Sequence, residues 1–166
     1  MKSQVDNYKH LWTYDERGIL TCSVLIRGKW YRAKSEVLVL NDDNEVFLAF
    51  KGKDNKYKVP GGGWDKNDVD DVETVIRETL EEAHMKISDI HYKNSYTMRY
   101  ESVNPKNPWI GAYVKVYVAR YDGKKKYDTD KVDRDKTIEK KGQFYKIKKV
   151  YDRLSAVHQE ALKDYI

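Results

Sequence analysis

The chain has 166 residues, 40% hydrophobic and 36% charged, with a formal net charge of +5. That is enough for one domain with its own core, and no apolar run approaches the roughly 20 residues of a bilayer crossing. The single cysteine, Cys22, excludes an internal disulfide and fits a reducing cytoplasm, and Met1 to His10 lacks the apolar core of a signal peptide.

Residues 1–18 are polar and aromatic, with Tyr8, Trp12 and Tyr14. They read as an N-terminal extension that packs its rings on the domain or on a second copy, so a homodimer is among the partners expected. Ile19 to Ile26 reads as a strand, Arg27-Gly28-Lys29 as a tight turn, and Trp30 to Leu40 as the returning strand. Val37 to Leu40 is apolar on both faces and should be central. Cys22 lies in such an apolar run, where a thiol is a buried structural group. After the turn cluster Asn41 to Asn44, Glu45 to Phe50 is the next strand. Tyr57-Lys58-Val59 is a short strand that delivers Pro60 to three glycines, Gly61 to Gly63.

A helix follows, expected from Asp71 to Met85, with Asp70 as N-cap and Glu73 completing a capping box. Val72, Val75, Ile76, Thr79, Leu80 and Ala83 recur at i, i+3, i+4 and i+7, the stripe of a core-facing helix. Asp89 to Glu101 and Ile110 to Tyr121 read as strands. In the second, Ala112, Val114, Val116 and Val118 alternate with Tyr113, Lys115 and Tyr117, the period of a half-buried strand. Residues 122–136 are charged and read as a loop. Gln143 to Ile147 is a last short strand, and Val150, Leu154, Val157, Ala161 and Leu162 mark a C-terminal amphipathic helix. His158, on that helix, reads as a surface residue. His84 reads as the residue that ends the first helix.

The chemistry concentrates on the first helix. Glu78, Glu81 and Glu82 stand three and four residues apart and share a face away from the apolar stripe. Arg77, one turn before Glu81, can neutralise and orient them. Three carboxylates this close repel each other unless a cation sits among them, and an oxygen-only set without thiolates favours Mg²⁺ or Mn²⁺. Taken alone, Arg-Glu-x-x-Glu-Glu describes a solvated helix face with i,i+4 pairs. Here a glycine run precedes it, and small residues let the backbone approach a metal or phosphate.

Val59-Pro60-Gly61-Gly62 joined to Arg77-Glu78-x-x-Glu81-Glu82 resembles the Nudix box, from Gly62 to Met85. Three positions depart from its pattern. Val69 stands where the first motif glutamate belongs, flanked by Asp68 and Asp70; with a loop one residue longer, Asp68 takes that place. Thr79 replaces an aliphatic, and His84 replaces the late glycine. The resemblance implies an α/β fold, a Nudix-like α/β/α sandwich with a mixed β-sheet between the box helix and the C-terminal helix. It implies one domain over residues 1–166.

The resemblance further implies a Mg²⁺- or Mn²⁺-dependent pyrophosphohydrolase. Its substrate would be a nucleoside diphosphate linked to another moiety: a nucleoside triphosphate, nucleotide sugar, dinucleoside polyphosphate or capped RNA. The metal would be held by Glu78 and Glu82 with a carbonyl of Gly61 or Gly62. Glu81 would be a further ligand or the base that activates water, and Arg77 would hold a glutamate in place. Gly62, Lys58, Arg32 and Trp64 are the candidates for substrate contact, Trp64 by stacking on a base or by closing the loop. Loops 51–56, 101–109 and 122–136 would choose the substrate. Three other readings compete: a non-catalytic nucleotide-sensing module of the same fold, an isomerase that would need a reactive cysteine, and an RNA-binding protein using the basic surface.

Overall fold

The computed structural model describes residues 8–50, 56–64, 71–121, 123 and 142–166. Chain order over the first half is β1 (Lys9–Tyr14), β2 (Leu20–Ile26), β3 (Lys29–Leu40), β4 (Glu45–Phe50), β5 (Tyr57–Lys58), β6 (Gly61–Gly63) and α1 (Asp71–Ala83). The second half has β7 (Ser88–Arg99), β8 (Gly111–Arg120), β9 (Gly142–Lys146), α2 (Ile147–Val150) and α3 (Ala156–Leu162).

Strand β3 organises the sheet. One of its edges is paired antiparallel by three strands in succession: β2 at Lys29–Arg32, β6 at Lys34–Glu36 and β4 at Leu40. Its other edge runs parallel to β8 from Tyr31 to Leu40. The sheet is therefore mixed, and β3 and β8 lie inside it. Their side chains alternate between two cores. Leu38, Leu40, Val116 and Val118 pack with Ile147, Val150, Leu154 and Leu162 from the C-terminal segment. Val37, Val39, Tyr117 and Ala119 pack with Val75 of α1 and with Met85 and Ile87. Each fully buried Leu or Val in these layers contributes roughly 1.5–3 kcal/mol. Helices cover both faces, so the α/β sandwich is the observed architecture. Among the described residues, no helix is long and apolar enough to cross a membrane.

Within the N-terminal segment, Lys9–Tyr14 forms a strand, β1, paired with β2 from Lys9↔Leu25 to Tyr14↔Leu20, and the Tyr8 ring packs on Tyr113 at 5.6 Å. Four expectations change. Helix α1 ends at Ala83 rather than Met85, because His84 turns to φ 54° while its N–H still reaches the Leu80 carbonyl at 3.1 Å. A left-handed residue here is the usual helix stop, and it is the conformation glycine takes most cheaply. Strand β8 is buried on both faces, Lys115 included, because it is a central strand with a helix on either side. The C-terminal helix is two short helices broken at Leu154 and Ser155. Ser155 caps the second, accepting a 3.4 Å hydrogen bond from the His158 N–H. His158 is buried, not a surface residue. Cys22 is buried, as expected. The Asp70 cap, Val69 and Asp68, residues 51–55 and most of 122–136 lie outside the described residues.

Candidate active site

The three glycines of β6 lie against β3 in the register Lys34↔Gly63, Ser35↔Gly62 and Glu36↔Gly61. Each is short of room for a side chain, for a different reason. A Cβ on Gly61 would stand 2.6 Å from the Ser35 carbonyl oxygen and 2.8 Å from Glu36 Cα. On Gly62 it would stand 2.6 Å from the carboxyl carbon of Glu78, and on Gly63 2.7 Å from Arg32 Nε. The glycines thus bring the strand backbone against both the acidic helix and a guanidinium.

Helix α1 lies across this strand. Its burial sets the polar face by elimination: Val75 and Thr79 go to the core, and the carboxylates turn to the glycines. Thr79, in an aliphatic position of the motif, is fully buried; its hydroxyl donates to the Val75 carbonyl at 2.5 Å, one turn back. Arg77 Nη1 lies 2.9 Å from Glu78 Oε1 and 3.6 Å from Glu81 Oε2, and its Nη2 donates to the Gly63 carbonyl at 3.3 Å. Glu82 Oε1 accepts the Gly61 N–H at 3.0 Å. The Arg77–Gly63 and Glu82–Gly61 hydrogen bonds tie the helix to the strand.

Beside them lies a cleft of about 370 Å³. Gly61, Gly62, Arg77, Glu78 and Glu81 form one side, and Arg32 and Lys34 of β3 also line it. Arg32 is steadied by the Trp109 ring, 5.4 Å from its guanidinium carbon. Burial lowers the pKa of Lys34, and the Arg32 charge lowers it further; Glu36, Glu78 and Glu82 act the other way. Lys34 was not singled out from the sequence. The signal was available: Arg32, Lys34 and Glu36 alternate with Ala33, Ser35 and Val37, which places all three on one face of β3.

Two of the predicted substrate contacts stand apart from the cleft. Lys58 is exposed on β5 and borders a different cavity, with Tyr57 and His158. The short β5 pairs with β4 rather than with β3, which carries Lys58 away from the carboxylates. Trp64 packs on the sheet. Its indole N–H donates to Ser35 Oγ at 2.7 Å, its ring stacks on His10 at 5.9 Å, and Lys115 Nζ sits 5.5 Å from its centroid. The aromatic face expected to stack on a base is thus already engaged.

The donor set suits a hard cation, with carboxylate and backbone oxygens close together on a rigid helix and strand. Among the described residues, no three His, Cys, Asp or Glu side chains converge on one point. The reason lies in the pairing: the Arg77 guanidinium stands beside Glu78 and Glu81, and Glu82 is turned to Gly61.

A NUDIX domain family model matches residues 30–165. No curated protein matches the sequence. Among solved structures, the chain resembles a NUDIX hydrolase from Nitrosomonas europaea, with TM-score 0.56 at 14% identity over 81% of this chain and 88% of that one. It resembles a MutT protein from Bacillus halodurans, with TM-score 0.54 at 17% identity over 80% of each chain. It also resembles the NUDIX domain of Shewanella oneidensis NrtR, solved in complex with ADP ribose. There the TM-score is 0.53 at 13% identity, over 81% of this chain and 85% of that one. The TM-scores show a shared fold. The family model spans most of the sequence, and the chain therefore belongs to the NUDIX domain family, the hydrolases of pyrophosphate bonds.

Proposed function

We propose that the protein is a Mg²⁺- or Mn²⁺-dependent pyrophosphohydrolase that cleaves a nucleoside diphosphate linked to another moiety. The observation that carries this reading is one cleft with two kinds of wall. Arg32 and Lys34 offer positive charge to phosphates, while Glu78 and Glu81 offer carboxylates to a cation, with Gly61 to Gly63 between them. Glu78, Glu81 and Glu82, with the backbone of Gly61, would hold the ion. Once bound, a divalent ion neutralises phosphate oxygens and lowers the pKa of a bound water.

The chain's own residues supply the rest. Arg32 and Lys34 orient the diphosphate and offset its charge. Arg77 fixes Glu78 from the helix side. The Glu81 side chain is 32% exposed against 8% for Glu78, which supports Glu81 as the carboxylate that would take a proton from water. The solved NrtR domain holds ADP ribose, a nucleoside diphosphate carrying a further sugar, which is the substrate class proposed here.

The test is release of nucleoside phosphate from a panel of nucleotide sugars, dinucleoside polyphosphates, nucleoside triphosphates and capped RNA, with and without Mg²⁺. Metal-dependent release from one class establishes the reading and names that class. Nucleotide binding without turnover on any of them favours the nucleotide-sensing module instead.

A further inference from the structure

The acidic cleft has a further wall that its motif does not supply. Besides Arg32 and Lys34, it is lined by Arg17, Ile19 and Thr21. These residues belong to the hairpin of β1 and β2, which lies ahead of residue 30, where the NUDIX domain match begins. The hairpin is tied down at several points. The Thr21 hydroxyl donates to the Thr13 carbonyl at 3.1 Å, across its two strands. Glu16, in its turn, accepts the Asn104 side-chain amide at 2.6 Å. The Trp109 indole N–H donates to Ser23 Oγ of β2 at 2.6 Å. The hairpin is therefore joined to the 101–109 loop at both ends of that loop.

Its turn holds one guanidinium in place. The Asp15 N–H donates to the Ile19 carbonyl at 2.8 Å, and Gly18 takes φ 77° to close the turn. The two oxygens of the Asp15 carboxylate divide their partners. Oδ1 accepts the backbone N–H groups of Arg17 and Ile19, at 2.9 and 3.0 Å. Oδ2 accepts Nε and Nη2 of Arg17, at 3.1 and 2.9 Å. The Asp15 side chain is 4% exposed and that of Arg17 is 60%. A buried carboxylate thus grips one edge of an open guanidinium. Arginine has five N–H donors, so those that Asp15 does not take are left for a ligand. Arg32 makes a second, independent case. Its Nε is buried and has no hydrogen-bond partner among the described residues, which calls for an acceptor. Arg77, by contrast, is engaged by Glu78, Glu81 and Gly63.

We propose that Arg17 binds a third phosphate of the substrate, so that the cleft selects a chain of three or more phosphates over the two of a nucleotide sugar. The proposal rests on the diphosphate reading of the cleft and narrows it. Arg32 and Lys34 offset the charge of a diphosphate. Each further phosphate brings more negative charge into a cleft that already holds Glu78 and Glu81. A third cation offsets that charge, and a guanidinium held at one edge presents the other to phosphate oxygens as a ready fork.

The test is a binding titration of inorganic pyrophosphate and inorganic tripolyphosphate, in chelator so that no turnover intervenes. The proteins are wild type, Arg17→Gln, Arg17→Lys and Lys148→Gln. Lys148, exposed on α2 and no part of the cleft, controls for net charge. Wild-type protein should bind tripolyphosphate about tenfold more tightly than pyrophosphate, the scale of a hydrogen bond to a charged group. Arg17→Gln should reduce that advantage to about twofold with pyrophosphate affinity unchanged, and Lys148→Gln should keep it whole. Arg17→Lys, which keeps the charge but not the fork that Asp15 grips, should lose part of it, and it keeps the test open if Arg17→Gln fails to fold. An advantage that survives in both Arg17 variants overturns the proposal, as does an equal loss in Lys148→Gln. Turnover that prefers a nucleotide sugar, with Arg17→Gln as active as wild type, overturns the proposal and leaves the hydrolase reading standing. An Arg17-dependent advantage in a protein that turns over no substrate contradicts the hydrolase reading alone.

Discussion

The Lys115 ammonium of β8 is paired with the carboxylate of Asp71, the first residue of α1, and both side chains are buried. The Tyr117 hydroxyl, two residues along the same strand, donates to the same Asp71 oxygen. The helix that carries Glu78, Glu81 and Glu82 is therefore fixed at its start to a central strand. The negative charge also sits in the first turn, where the helix dipole favours it. Two rings flank the ammonium, Trp64 at 5.5 Å and Tyr92 at 5.3 Å.

Breaking this pair from one side should be costly. Lys115→Met leaves Asp71 buried without its counter-charge, and a loss of about 3–5 kcal/mol in urea unfolding is expected. Adding Asp71→Leu to that variant should recover part of the loss. A single variant within about 0.5 kcal/mol of wild type would show that the pair contributes no anchorage.

Neighbouring glycines should respond differently to alanine. In Gly61→Ala the new methyl meets the backbone at Ser35 and Glu36, which cannot move without parting β3 from β6. Destabilisation of about 1–3 kcal/mol is expected in thermal or urea unfolding. In Gly62→Ala the nearest atoms to the new methyl belong to the Glu78 side chain, whose carboxyl end can swing aside. That variant should stay folded and need about tenfold more Mg²⁺ for half-maximal activity. Equal effects of the two on stability would contradict the contacts described.

Arg32 and Lys34 should act on the substrate rather than on the chemical step. Arg32→Gln and Lys34→Gln are each expected to raise KM about tenfold, with a smaller change in kcat. The wild-type KM should rise with ionic strength, and less so in either variant, because screening weakens the interactions they remove. A fall in kcat at constant KM would place these cations at the reacting phosphorus instead.

Much of this was legible in the sequence because it is local. The glycine run, the apolar stripe of α1 and the acidic face are written at fixed spacing, and the strands from β2 to β4 stand out as apolar runs between turn residues. What escaped depends on tertiary partners. Lys115 occupies a polar position of an alternating strand; only the carboxylate arriving from α1 makes its burial tolerable. His158 stands four residues after Leu154 and four before Leu162, so it belongs to the buried stripe. Its polarity suggested the surface, yet Glu36 and Tyr57 satisfy both ring nitrogens. The break in the C-terminal helix sits at Ser155, a capping residue inside an otherwise continuous apolar pattern. The strand at Lys9–Tyr14 carries no clear alternation, and it forms because β2 offers it an edge.

The most direct test of the central claim compares wild-type protein with Glu82→Gln on the diphosphate substrate it prefers, across a Mg²⁺ titration, with both shown folded by circular dichroism. The account predicts turnover that is abolished by chelator and restored by Mg²⁺. It predicts a fall of about a hundredfold or more in kcat/KM for the variant, as expected for a lost metal ligand. Turnover that persists in chelator, or a variant as active as wild type at every Mg²⁺ concentration, would contradict it.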